Sequence, residues 1–346
     1  MVGSAYLAGR VPEGRQNRLS KLAALASTSH IFYLLPQLFP MRIIPSSYGT
    51  LRVGTLDETF RAMVDILRDA VAAKNAPITV GLSGGSTPKA FYQWAVREKA
   101  LPESLSKNCL WLTSDERCVP LASDDSNFGN ADRLMLTPLG ILAAAKIPWP
   151  VELPPAACAA AFNKMWDARF GAQYGFDICF LGMGDDGHTA SLFPGCPLIS
   201  QDAGPYIPLP GHMVPPLKSV LQAENELAQK LGRPPTPDEV ASVTNFPVER
   251  VRQILSLAQQ PGTRAGLSDN FAAVEWPGRG WRLTITQAGL ARCARVVVLA
   301  NGAAKASVLK AILHGPYDPK KLPSQIHRAY APRVTWLVDE AAAAEL

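Results

Sequence analysis

From about residue 50 onward, short unbroken apolar runs alternate with longer stretches in which apolar side chains recur every three or four positions. The runs are ITVGLS (78–83), LWLTSD (110–115), DICFLGMG (177–184), RVVVLANG (295–302) and VTWLVD (334–339). Their length and their enrichment in β-branched and large apolar residues predict strands. Because successive positions are apolar, both faces of each strand are expected to be covered, as in a parallel sheet. The segments between them predict helices over 55–73, 87–98, 127–144, 156–172 and 303–313. The first of these opens with the capping-box spacing Thr55-x-x-Glu58. Strands and helices alternating in this way imply an α/β fold, doubly wound, with a mainly parallel sheet and helices on both faces.

One segment breaks the alternation. Residues 205–266 hold no strand candidate and read instead as three helices: 215–232, a second opening at TPDE (236–239), and 248–260, which Pro261 and Gly262 end. The expected organisation is therefore an α/β domain over 49–204 and 267–346, a three-helix insertion over 205–266, and an N-terminal extension over 1–48.

Composition narrows the classes. With 346 residues, 47% of them hydrophobic, the chain can bury a large core. Its net charge of +5 is concentrated in the extension, where Arg10, Arg15, Arg18, Lys21 and Arg42 stand against Glu13 alone. The rest is near neutral, which leaves no bulk electrostatic footprint for nucleic acid. The extension fits either an organellar transit peptide or an upstream start, with Met41 beginning the fold. No apolar run approaches the roughly 20 residues that span a bilayer, and IFYLLPQLF (31–39) is broken by Pro36, so no membrane partner is expected. The six cysteines (109, 118, 158, 179, 196 and 293) form no C-x-x-C pair or metal-ligand spacing. They read as reduced thiols, and the expected location is cytoplasmic, or organellar if the first 40 residues are a transit peptide.

In doubly wound sheets ligands sit beyond the carboxyl ends of the strands, and the polar motifs of this chain all follow strand candidates. Ser83, Gly84, Gly85, Ser86 and Thr87 lead into Pro88, which suits a first helical turn; glycines and free amides there make an anion cradle, or an ordinary strand-to-helix turn. Neither a Walker loop nor a dinucleotide fingerprint is present. Asp115-Glu116-Arg117 reads as a solvated strand end in which Arg117 can fork onto a phosphate. Lys305 adds a second cation at the same end. GMGDDGHTASLFPG (182–195) sets His188 and Asp186 among glycines; a histidine whose tautomer is held by a carboxylate is suited to take a proton near neutral pH. His30, His314 and His327 lack such surroundings and read as structural. No third ligand stands at metal-site spacing, so no metal is expected.

Taken in order, GLSGGSTP (81–88), SDERCVP (114–120), SNFGNADRLML (126–136), GMGDDGHTASLFPG (182–195), WRLTITQAGL (281–290) and NGAAKASVL (301–309) resemble the 6-phosphogluconolactonases, part of a wider family that includes the glucosamine-6-phosphate deaminases. TASLFPG is of the lactonase type. The resemblance implies hydrolysis of 6-phospho-D-glucono-1,5-lactone to 6-phosphogluconate in the oxidative pentose phosphate pathway, with a sugar phosphate lactone as partner and no cofactor. It also implies His188 as general base with Asp186 beside it. Ser83, Gly84, Gly85, Ser86, Thr87, Arg117 and Lys305 would hold phosphate, and Arg282 would stand near the site on an arginine-led strand. The alternative within the family is a deaminase or isomerase acting on an amino sugar phosphate.

The insertion resembles something different: HMV, ELAQKLGRPPTPDEVA and VRQILSLAQQP are similar to region 3 of bacterial primary sigma factors. Pro215 and Pro216 stand where that family runs an uninterrupted helix. Lys218, Lys230, Arg233, Arg250, Arg252 and Arg264 are nearly balanced by Glu224, Glu226, Asp238, Glu239 and Glu249. Such near-neutrality is poor support for phosphate-backbone binding, so neither nucleic acid nor RNA polymerase is expected as a partner. An inactive scaffold carrying such a binding module is the competing reading, and oligomeric state is left open.

Overall fold

Seven strands build the main sheet, in the order β1-β2-β10-β9-β6-β3-β4. The computed structural model describes residues 41–44, 46–196, 198–199, 214–259, 269–276, 278 and 280–346. The first 40 residues of the expected extension, with His30, lie outside the described residues, as do 200–213 and 260–268 at the two ends of the insertion.

In chain order the elements are β1 (Arg42–Ile44), β2 (Thr50–Gly54), α1 (Leu56–Ala72), β3 (Ile78–Leu82), α2 (Ser86–Arg97), β4 (Cys109–Thr113), β5 (Asp115–Arg117), α3 (Asn127–Ala131), α4 (Pro155–Phe170) and β6 (Ile178–Gly182). There follow α5 (Val214–Leu231), α6 (Pro237–Thr244), α7 (Val248–Gln259), β7 (Phe271–Trp276), β8 (Gly280–Ile285), α8 (Gln287–Arg292), β9 (Arg295–Ala300), α9 (Ala306–His314) and β10 (Val334–Asp339). All neighbours in the main sheet pair in parallel except β1 with β2.

The five runs expected as strands become β3, β4, β6, β9 and β10, and their unbroken apolarity has the expected cause. On β6, Cys179 and Leu181 enter one large core cluster while Ile178 and Phe180 are buried apart from it. On β9, Val296 and Val298 enter the same cluster, and Val297 and Leu299 are buried outside it. Alternate side chains of one strand point to opposite faces, so both faces are covered. That cluster is dense in aromatics: Trp149 stacks on Phe162 at 4.0 Å, and Phe271 meets Trp149, Phe162 and Trp166 edge-on. Each such side chain contributes roughly 1.5–3 kcal/mol by leaving water.

The topology also places the site. After β3 the chain lays β4 on one flank, then returns to put β6 on the other, so β3 and β6 border the point where strand order reverses. Ligands in open α/β sheets occupy this crevice.

Four expectations need correction. LWLTSD does not run through as one strand: Ser114 donates from both its N–H and its hydroxyl to the Leu82 carbonyl, and at Asp115 the chain leaves the main sheet. It enters a second sheet, antiparallel and three-stranded, in the order β5-β8-β7. The helix expected over 127–144 ends early: α3 widens into a π-helical turn over Asp132–Leu136, and Thr137-Pro138 prevents its continuation. Ala303–Lys305 form a 3-10 turn before α9 instead of its first helical turn. The main sheet reaches back to Arg42, because the short edge strand β1 pairs with β2 through residues assigned from sequence to the extension.

Helices α5, α6 and α7 answer to the three helices expected in the insertion. They share a small core of Val220, Val240, Val251 and Ile254. Thr236 and Glu239 form a reciprocal capping box at the start of α6, which ends on Asn245 in the left-handed region at φ 58°. Among the described residues no helix is long and apolar enough to cross a membrane.

Candidate active site

The turn after β3 is tight because two of its residues have no side chain. Gly85 takes φ +107°, a value that penalises any Cβ. A Cβ on Gly84 would lie 1.8 Å from the Asn127 side-chain oxygen. That closeness joins the turn to the start of α3, since Asn127 also donates from its amide to the Asp115 carbonyl at 2.9 Å. Helix α2 begins at Ser86 without a side-chain cap, which leaves its first amides open to a ligand, and Ser83, Ser86 and Thr87 line the cavity.

Glu116 is fully buried, contrary to the solvated strand end expected from sequence. Its carboxylate accepts backbone N–H groups from Arg117 and Asn127 at 2.7 Å and from Phe128 at 2.8 Å, and the Ser126 hydroxyl at 3.2 Å. Burial pushes this carboxyl up, and the three amides act against that shift without cancelling it. The residue ties β5 to the first turn of α3. Asp115, also buried, accepts the Ser191 hydroxyl at 2.8 Å and so ties β5 to the loop that carries His188.

Antiparallel pairing of β5 with β8 sets Arg117 directly opposite Arg282. Directly opposed like charges repel at this spacing, and an anion between them removes the conflict. Burial first, and then the charge of Arg117, pull the Arg282 guanidinium below its ordinary value. Arg117 is steadied by donating to the Asp125 carbonyl at 2.7 Å, and Arg282 by donating to the Trp281 carbonyl at 3.0 Å and by lying 5.8 Å over the Trp276 ring.

The loop after β6 aims His188. Asp186 Oδ1 accepts the backbone N–H of His188 at 3.1 Å and meets its Nδ1 at 2.6 Å. Burial works to raise the Asp186 carboxyl, but the His188 backbone N–H, ring and charge together hold it below the usual carboxylate range. An ionised Asp186 assigns the proton to Nδ1 and leaves Nε2 as the basic nitrogen. A Cβ at Gly184 would fall 2.0 Å from His188 Nδ1, and Gly187 takes φ +77°. From behind, Ser324 donates its N–H to the Gly187 carbonyl at 2.8 Å, and His327 Nε2 lies 3.2 Å from the Thr189 hydroxyl. Phe193 stacks on Trp276 at 3.6 Å, and the two rings lie 4.9 and 6.2 Å from the His188 ring.

These groups enclose a cavity of about 310 Å³. Of the residues expected at the site, Ser83, Gly84, Gly85, Ser86, Thr87, Arg117, His188, Arg282 and Lys305 all line it, while Asp186 stands behind His188. Lys305 is not an isolated cation: it is ion-paired with Asp185 of the His188 loop. Asn127, Ser191, Phe193, Trp276 and Asn301, which are not among the residues expected from sequence, line the same cavity. Asn127 had a local signal in the Ser126 cap before it, and Trp276 ends a strand of the unrecognised β7–β8 hairpin.

Residues 55–220 match the model of the family described as glucosamine-6-phosphate isomerases/6-phosphogluconolactonase. That match covers just under half of the chain and lies mainly in its α/β part. Among curated proteins similar to this chain, the 6-phosphogluconolactonase of Treponema pallidum is 40% identical over 119 residues, covering 33% of this chain and 48% of the relative. The 6-phosphogluconolactonase of Rhizobium meliloti is 38% identical over 143 residues, covering 41% and 58%. The chain thus spans about half the length of these curated relatives. Solved structures share the fold: 6-phosphogluconolactonase from Trypanosoma cruzi aligns with TM-score 0.59 at 21% identity, covering 89% of this chain and 98% of that one. A monomeric glucosamine-6-phosphate deaminase aligns with TM-score 0.55 at 18% identity, covering 86% and 99%. Residues 217–263 match a different model, sigma-70 region 3.

Proposed function

We propose that this chain hydrolyses 6-phospho-D-glucono-1,5-lactone to 6-phosphogluconate, the lactonase step of the oxidative pentose phosphate pathway. The observation that carries the reading is the placement, around one cavity, of an opposed arginine pair suited to a phosphate and a carboxylate-held histidine suited to a water. Naming of the curated relatives supports the substrate.

In this mechanism Arg117, Arg282 and the amides after Ser83 hold the phosphate, and Lys305 exchanges part of its bond to Asp185 for the same anion. The lactone carbonyl lies toward His188. Nε2 accepts a proton from a water as the water oxygen bonds to C1, giving a tetrahedral oxyanion. Asp186 stabilises the imidazolium that results. The oxyanion then collapses, the bond from C1 to the ring oxygen breaks, and His188 returns its proton to that oxygen. The open-chain acid leaves and the imidazole is neutral again. An ester already activated as a lactone needs little beyond this positioning. We also propose a cytoplasmic setting, supported by the six unpaired cysteines.

The phosphate assignment is tested by comparing phosphorylated and unphosphorylated gluconolactone. Arg117→Ala should lower kcat/KM for the phosphorylated lactone by about 10- to 100-fold, the loss of one charge-assisted contact, and leave the unphosphorylated substrate nearly unaffected. Equal losses on both would refute it. Release of ammonia from glucosamine 6-phosphate would favour the deaminase instead.

A second reading rests on the sigma-70 region 3 match. We propose that the insertion is not a nucleic-acid-binding module, on the support of its self-neutralised charge: Arg233 pairs with Glu239, and Arg252 pairs with Asp238 and Glu249. Binding of promoter DNA at physiological salt would overturn this.

A further inference from the structure

Asn301 follows the last residue of β9 and lines the cavity together with His188 and Lys305. Both polar atoms of its carboxamide are buried, and neither has a hydrogen-bond partner among the described residues. A buried carboxamide without a partner is unfavourable, and folded chains seldom keep one without a compensating role. Other buried atoms in the same condition, on Trp111, Thr113 and His327, belong to residues away from the cavity.

Position and chemistry indicate what Asn301 takes. Leu299 pairs with Gly182 across the sheet, which sets Asn301 beside the start of the His188 loop, at the reacting end of the crevice. Arg117, Arg282, Lys305 and the turn after β3 present donors and positive charge. A carboxamide presents one donor and one acceptor group, the pairing that a neutral hydroxyl needs. No bond restrains its terminal torsion, which is intrinsically broad, so it can turn either atom toward a ligand. We propose that Asn301 is a specificity-determining residue that hydrogen-bonds a hydroxyl of the sugar chain near the reacting carbon, and does not contact the phosphate. This rests on the lactonase reading above.

Titration calorimetry with two probes, 6-phosphogluconate and inorganic phosphate, tests it on the full chain and on Asn301→Leu. The variant should bind 6-phosphogluconate about fivefold to tenfold more weakly, the loss of a hydrogen bond between neutral groups, and bind inorganic phosphate unchanged. Its melting temperature without ligand should equal or exceed that of the parent, because an apolar group of similar volume replaces an unpaired polar one. Three results would overturn the proposal: unchanged affinity for 6-phosphogluconate, an equal loss for both probes, or a clear fall in melting temperature, which would mark a structural role. If the parent chain itself fails to bind 6-phosphogluconate, the lactonase reading falls and takes this proposal with it. Binding by the parent with no effect of the substitution removes Asn301 alone.

Discussion

At the scale of single residues, the glycines around His188 do unequal work. Gly184 is needed for room, since a methyl there would sit on the imidazole and within 2.6 Å of Asp186. Gly182 is not in that position, because its nearest neighbour would be an ordinary 3.8 Å away. Gly184→Ala should therefore reduce lactone turnover by about 10²–10⁴-fold, the usual worth of general-base help, while the chain still melts cooperatively; near-parent turnover would contradict the account. His327 makes a separate prediction. Burial lowers its imidazole from 6.5 to about 3. Below 6.5 the unfolded chain binds a proton that the folded chain refuses, so this contribution is complete above pH 6.5 and is lost as pH falls toward about 3. The slope is about 1.4 kcal/mol per pH unit. His327→Gln should flatten the acid limb of denaturant stability between pH 6.5 and 5, and an unchanged slope would contradict the buried neutral histidine. Sequence made the His188–Asp186 partnership legible because the two stand only two positions apart in the chain. The bracing by Ser324 and His327 was not, since more than 130 residues separate those partners.

At the scale of elements, the decisive pairing is β5 with β8. Three residues on one strand and the matching three on the other set Arg117 against Arg282, and Glu116 fixes that strand to α3. Apolar runs revealed the main sheet because strands buried on both faces carry an unbroken signal. The second sheet carries no such signal: β5 is three charged residues, and β7 and β8 mix buried with exposed positions. Asp115 and Glu116 accordingly look solvated in the sequence but are buried in the fold. A carboxylate that takes three amides has no equal in a carboxamide, which offers a single oxygen and brings two donors of its own. Glu116→Gln should destabilise the chain by about 1–3 kcal/mol, the cost of leaving a buried donor unpaired. It should also weaken phosphate-dependent binding, because Arg117 shares the strand. A denaturant midpoint equal to that of the parent would contradict the anchoring role.

At the scale of the whole molecule, an α/β fold hosts a helical insertion with its own small core. Closing a longer connection adds only slowly to the entropic cost, so a unit that buries apolar side chains in a core of its own need not unfold its host. The insertion was legible because its helical period interrupts an otherwise regular alternation, and its capping box appears in the sequence as Thr236 and Glu239. The most direct test of the central claim is the rate of hydrolysis of freshly generated 6-phosphogluconolactone by the full chain, insertion in place, set against spontaneous hydrolysis and against His188→Ala. The parent should accelerate hydrolysis, and the variant should lose about 10²–10⁴-fold. A well-folded parent that gives no acceleration, or a variant that keeps the parent's rate, would contradict that claim.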